Sequence, residues 1–201
     1  MPSALQRMPP ASLDAGVRES YTLVRPLFSW NRVYRVYGPG GALAAFVEQP
    51  WFRLRSELVM YADEQQLRPL LVLKNRRIAA VNMEHDLFDA ESGQRLGVIR
   101  DRGLRSMFRD SWEILDADER LAGEMIEDGP AFWRRLVRFL PGRHHVDLGG
   151  REVARIRQVF HWWRREFVLH ILDVDDPIEP RLAIACALVA MMADLRRERE
   201  R

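Results

Sequence analysis

The chain has 201 residues, 47% of them apolar and 30% charged, with a formal net charge of +2 at pH 7. That is enough for one domain with a substantial core. It excludes the strongly basic field of a typical nucleic-acid binder, and the single cysteine, Cys186, excludes a disulfide framework or a CxxC metal site.

Residues 1–19 contain Pro2, Pro9 and Pro10 but no apolar core of a secretory signal, so they read as a flexible leader. The expected domain is a single unit over residues 20–195. Four segments within it share one grammar: an alternating strand, an Asp- or Gly-rich turn, then an apolar, small, apolar return. The first runs from Tyr34-Arg35-Val36-Tyr37 through Gly38-Pro39-Gly40-Gly41 to residues 43–47. The second runs from His85-Asp86-Leu87-Phe88 through residues 89–93 to Leu96-Gly97-Val98-Ile99. The third joins Trp112-Glu113-Ile114-Leu115 to residues 121–126, and the fourth joins His145-Val146 to Val153-Ala154-Arg155-Ile156. Small residues such as Gly97 and Ala154 suit tight sheet curvature or close approach of a helix.

Two interruptions look helical. Residues 50–61, beginning Pro50-Trp51-Phe52, suit a turn or more of helix before Leu70-Leu71-Val72-Leu73 resumes a strand. Residues 131–140 place Trp133, Leu136, Val137 and Leu140 at amphipathic helical spacing, stopped by Pro141-Gly142. Val159-Phe160 and residues 167–171 read as further strands. Asp173, Asp175 and Asp176, with Pro180, suit a helix start with acids at its positive end.

The last run, residues 182–193, is apolar on every side, and Asp194, Arg196 and Arg197 close it. A helix with no polar face must be surrounded by protein or lipid. Twelve residues span roughly 18 Å, short of a hydrocarbon core of about 30 Å. The run therefore predicts a helix buried within β structure, followed by a solvated charged tail at 196–201. Some ten antiparallel strands ending in such a helix predict a closed barrel with the helix in its bore.

These residues resemble the tubby-like superfamily, in its phospholipid scramblase-like and LURP-one-related branch, over residues 21–195. The elements that carry the likeness are residues 32–37 with their Gly turn, residues 87–99, the hairpin around Trp112-Glu113-Ile114-Leu115-Asp116, and the closing Arg181-Leu182-Ala183-Ile184-Ala185. The resemblance implies a mainly β fold, a closed antiparallel barrel of about 12 strands around a central C-terminal helix. Its members include lipid-binding regulators and proposed scramblases. The chain departs from the scramblases in two respects. Asp173, Asp175 and Asp176 stand where a Ca²⁺ loop is proposed, but Ile178 and Ile184 fall where Gly and a bidentate Glu belong. The clustered cysteines used for acylation have no counterpart.

No phosphate loop, GxGxxG, GxSxG or HExxH motif is present, and no cofactor or metal is expected. His144 and His145, with Asp147, suggest a metal site, but adjacent strand residues face opposite ways. His85-Asp86 and Asp116/Asp118 are explained by turn chemistry. An enzymatic rival using His161 or His170 with an acid has no spacing signal behind it.

The pattern that invites a function is aromatic and basic: Trp133, Arg134, Arg135 and Arg138 in one segment, Trp162, Trp163, Arg164 and Arg165 in another. Trp favours the membrane–water interface and Arg attracts anionic headgroups. The structural alternative buries Trp133 as a helix anchor, and alternation sends one of Trp162 and Trp163 into the core. The expectation is a non-catalytic cytoplasmic module, peripheral at the inner membrane surface, that uses these residues to bind anionic phospholipid or a partner protein. Scrambling of lipids and a purely protein-binding adaptor are the alternatives; no nucleic acid and no transmembrane segment are expected.

Overall fold

A computed structural model describes residues 16–27, 31–49, 57–77, 83–102, 111–128 and 142–199. Twelve strands follow in chain order: β1 (Val17–Pro26), β2 (Arg32–Tyr37), β3 (Leu43–Gln49), β4 (Glu57–Tyr61), β5 (Pro69–Arg77) and β6 (Met83–Asp89). They continue as β7 (Arg95–Asp101), β8 (Ser111–Leu115), β9 (Leu121–Glu127), β10 (Arg143–Leu148), β11 (Arg151–Val159) and β12 (Arg164–Leu172), and helix α1 (Pro180–Arg199) follows β12. Each strand pairs antiparallel with its chain neighbour, and β1 closes on β12, so the sheet is a barrel without edges.

All four predicted hairpins form, as β2–β3, β6–β7, β8–β9 and β10–β11. Alternation explains why. Leu23, Val36, Leu71, Leu87, Ile99, Met125 and Leu169 point inward and are fully or almost fully buried, whereas Arg18, Glu57 and Arg155 on the opposite face are exposed. An apolar interior with a charged exterior is the reverse of a lipid-facing β-barrel, whose outer band is apolar.

Three expectations need correction. Residues 57–61 are strand β4, not helix: Leu58 and Met60 lie opposite Leu73 and Leu71 of β5, and both are buried. A period of two over five residues overrides the weak helical pattern. The leader also gives up its last residues to the sheet, because Val17 and Glu19 pair with Leu172 and Ile171. Third, α1 starts only at Pro180 and has no acid in its first turn, so Asp173–Asp176 do not compensate its positive end. Glu179 does so instead, accepting the Leu182 N–H at 3.1 Å. The predicted helix at 131–140 lies outside the described residues.

Residues 183–191 of α1 are all buried, on every side of the helix, against the inward side chains of the strands. Cys186 lies in this run, and burial pushes its thiol up to about 12. No helix among the described residues is long and apolar enough to cross a membrane.

Arg181 fixes the helix at one end of the bore. Its guanidinium meets Asp89 at 2.5 Å, in the β6–β7 turn, and Glu179 at 2.8 Å. The Ser92 amide and hydroxyl, together with Arg181, hold the Asp89 carboxyl well below the usual carboxylate range. A carboxyl depressed by folding contributes stability above its unfolded value, near pH 4, and loses it as the pH falls further. Asp89→Asn is therefore expected to melt below the parent at pH 7 and to converge on it as the pH drops from about 4 to 2. Thermal melts followed by circular dichroism check this; a constant gap across that range would remove Asp89 from the acid response.

Candidate functional site at the open end of the barrel

The two ends of the barrel differ. Tight turns close one end, with residues 38–42, 90–94, 116–120 and 149–150 linking their strands. The other end carries the connections from β1 to β2, β3 to β4, β5 to β6, β7 to β8, β9 to β10 and β11 to β12. The last turns of α1 emerge there too: Asp194 accepts a hydrogen bond from Gln158 Nε2, near the end of β11, at 3.1 Å.

Near this open end the inward positions change character. On β1 the inward series Tyr21, Leu23 ends in Arg25, which is only 8% exposed. The same step from apolar to polar occurs at Arg32 on β2, Gln49 on β3, Asn75 on β5, His85 on β6 and Asp101 on β7. It recurs at Glu127, His144, Gln158 and Arg165 on β9 to β12. Registers confirm a ring: Arg25 lies opposite Arg165, Arg32 opposite Gln49, Asn75 opposite His85, and Glu127 opposite His144. Only β4 and β8 contribute apolar members, Leu58 and Trp112. The Trp112 ring packs on His144 at 5.7 Å between centroids.

A cavity of about 200 Å³ lies between this collar and the helix. Its polar wall includes Arg25, Arg32, Asn75, His85 and Asp101; Leu58, Trp112, Met192, Ala193 and Leu195 form apolar wall and floor.

No family model and no curated protein sequence matches the chain. A crystal structure of a protein from Arabidopsis thaliana, AT5G01750, is similar to it with a TM-score of 0.51 at 14% sequence identity, over 90% of this chain and 93% of that one. The two share a fold. At this identity the likeness extends to the barrel and its helix and to nothing finer.

Of the sequence-derived site residues, four are described, and they lie at the open end. β11 ends at Val159 and β12 begins at Arg164, so residues 160–163 are a turn. Alternation does not apply there, and neither tryptophan enters the core: Trp162 is 74% exposed and Trp163 67%. Phe160 packs edge-on against Trp162 at 5.4 Å. The arginines are less available than their sequence suggests. Arg164 pairs with Glu166 at 2.7 Å, and Arg165 sits on the inward parity of β12 beside Phe167. Trp133, Arg134, Arg135 and Arg138 lie outside the described residues. The ends that flank their segment, Asp128 and Gly142, are at the open end: the Asp128 N–H donates to Arg143 O and the Gln158 N–H to Gly142 O.

The other candidates resolve into local pairings. His144 is buried while its neighbour His145 faces out and meets Asp128, as strand parity requires. His161 lies 3.2 Å from Glu166, which also holds Arg164, and His170 Nδ1 lies 2.7 Å from Ser20 Oγ on the outer face. Asp175, 99% exposed, lies 3.5 Å from Arg151. Among the described residues no cluster of His, Cys, Asp and Glu has the makings of a metal site. Many outer arginines face acids: Arg76 and Arg95 share Asp86 and Glu119, and Arg100 and Arg102 meet Glu84, Glu113 and Glu124. Among the described residues these arginines form an ion-pair belt over β5–β9, worth little stability per pair.

Proposed function

We propose that the chain is a non-catalytic binding module that docks by its open end onto an anionic phospholipid surface, peripheral to the cytoplasmic side of the membrane. The observation that carries this reading is the exposed Trp162–Trp163 pair on a short turn at that end. Two adjacent indoles so widely exposed on one short turn are uncommon, and indoles partition to the headgroup level. Arg134, Arg135 and Arg138, in the connection from β9 to β10, supply charge attraction, and Trp133 adds a third indole. The likeness to a superfamily with lipid-binding members supports the same reading. Scrambling is not favoured, because the apolar helix it needs within a bilayer is enclosed by strands.

Co-sedimentation with phosphatidylcholine vesicles, with and without phosphatidylserine, tests the proposal. The parent is expected to pellet with the anionic vesicles, less so at high salt. Trp162→Ala/Trp163→Ala is expected to weaken binding by roughly tenfold or more, with an unchanged melt because both side chains are exposed. Arg134→Ala/Arg135→Ala/Arg138→Ala is expected to remove most of the salt dependence. Equal pelleting of the tryptophan variant and the parent would overturn the reading.

A further inference from the structure

The cavity beneath the collar is chemically distinct from the tryptophan turn, and we propose that it binds a small uncharged molecule with an apolar body and one hydroxyl group. Its volume of about 200 Å³ sets the size. A dry cavity of about 150 Å³ holds benzene, so this one suits a molecule of about eight non-hydrogen atoms, a ring with two small substituents or a short branched chain.

The lining sets the chemistry. Leu58 and Trp112 from the strands, with Met192, Ala193 and Leu195 from the helix, offer an apolar bed for the body of the molecule. The charged residues of the wall, Arg25, Arg32 and Asp101, have partners within the protein, as does His85. They call for no counter-ion, and an entering ion would be desolvated with no charge held ready for it. Asn75 differs from them. It continues the inward series of Leu71 and Leu73 on β5 and lines the cavity. Its Oδ1 is buried and has no hydrogen-bond partner among the described residues. Buried polar atoms in native proteins are almost always satisfied, so this oxygen selects among neutral molecules. A hydroxyl donates to a carboxamide oxygen and still accepts through its own, whereas a hydrocarbon would seal the oxygen in unpaired. Water alone would satisfy the oxygen but wet the apolar bed, which the body of a ligand keeps dry.

Membrane docking does not involve this cavity, and the two readings fail separately. The probes are p-cresol and p-xylene, alike in shape, of which only the first carries a hydroxyl; benzoate and benzylamine are their charged counterparts. Ligand-observed NMR and calorimetry on the full chain at pH 7 are expected to show saturable p-cresol binding. It is expected to be at least fivefold tighter than that of p-xylene and at least tenfold tighter than that of either charged probe. Asn75→Leu, which removes the oxygen, is expected to bring p-cresol down to the level of p-xylene, with the melt unchanged or raised. Ala193→Met, which fills the cavity from the helix side, is expected to weaken both neutral probes at least tenfold. Trp162→Ala/Trp163→Ala is expected to leave p-cresol binding unchanged. If p-xylene or a charged probe binds as tightly as p-cresol, or if either Asn75→Leu or Ala193→Met binds p-cresol as well as the parent, the proposal falls. No binding at all means that the cavity holds water alone and also overturns it.

Discussion

Ala187→Asp is expected to yield no folded barrel. Ala187 is fully buried at the middle of nine consecutive buried helix residues. It belongs to one apolar core cluster with its helix neighbours Cys186 and Leu188 and with inward strand residues such as Leu23, Leu71 and Leu169, so a carboxylate there is buried in an apolar interior. An uncompensated buried charge costs about 3–5 kcal/mol, and forcing extra atoms into a closed core adds about 1–3 kcal/mol. The sum approaches the whole stability of an ordinary domain, about 5–15 kcal/mol. Leu121→Asp is the matched control, since Leu121 is 65% exposed at a hairpin turn and surface changes of this kind stay within about 0.5 kcal/mol. Soluble expression and a cooperative melt distinguish the two. A folded Ala187→Asp protein with improved solubility would mean that the helix is not the barrel's filling but an anchor presented to lipid.

The helix was legible because a run that is apolar all round has few environments open to it, and twelve residues are too few to span a bilayer. The hairpins were legible because alternation and Asp/Gly turns act together at each one. The losses have physical causes. β4 was hidden because its five residues follow Pro50-Trp51-Phe52, a good helix opening, and a strand that short carries only two inward residues, Leu58 and Met60. The alternative that buries one of Trp162 and Trp163 fails because strand alternation does not extend across residues 160–163, where the strands have already ended. The polar collar was missed altogether. Arg25, Asn75, Asp101 and Glu127 each look like an ordinary polar residue at a strand end. The signal lies in parity: in each case the residue continues the every-second-position apolar series of its own strand, and in each case it does so at the same end of the barrel. Read strand by strand this is noise; read around the closed sheet it marks an interior that turns from apolar to polar.

That parity depends on register, and Gly123→Ala is expected to show how tightly the register is held. A Cβ at Gly123 would lie 1.9 Å from the Asp147 carbonyl oxygen and 2.9 Å from its carbon. Those are backbone atoms of β10, and a Cβ has no rotamer by which to avoid them. At Gly97 the nearest atom is the Leu115 carbonyl oxygen of β8, at 2.5 Å, so the close approach expected there is to a neighbouring strand and not to the helix. Relief at Gly123 requires the β9–β10 ladder to spread where Leu148 lies opposite it. We expect a loss at the upper end of overpacking costs, about 3 kcal/mol or more, and a melt lowered by roughly 6–12 °C for a chain of this size. Gly97→Ala should cost somewhat less. Gly150→Ala, with positive φ but nothing within 4 Å, should cost only about 1 kcal/mol. If Gly123→Ala melts no lower than Gly150→Ala, the pairing of β9 with β10 is wrong. The consequence would reach the site, because a slip of one residue turns every side chain of a strand to the other face. Gly123, Met125 and Glu127 share one parity on β9, and Glu127 faces His144 only in this register. The crowded glycine thus holds in place the strand that carries one acid of the collar.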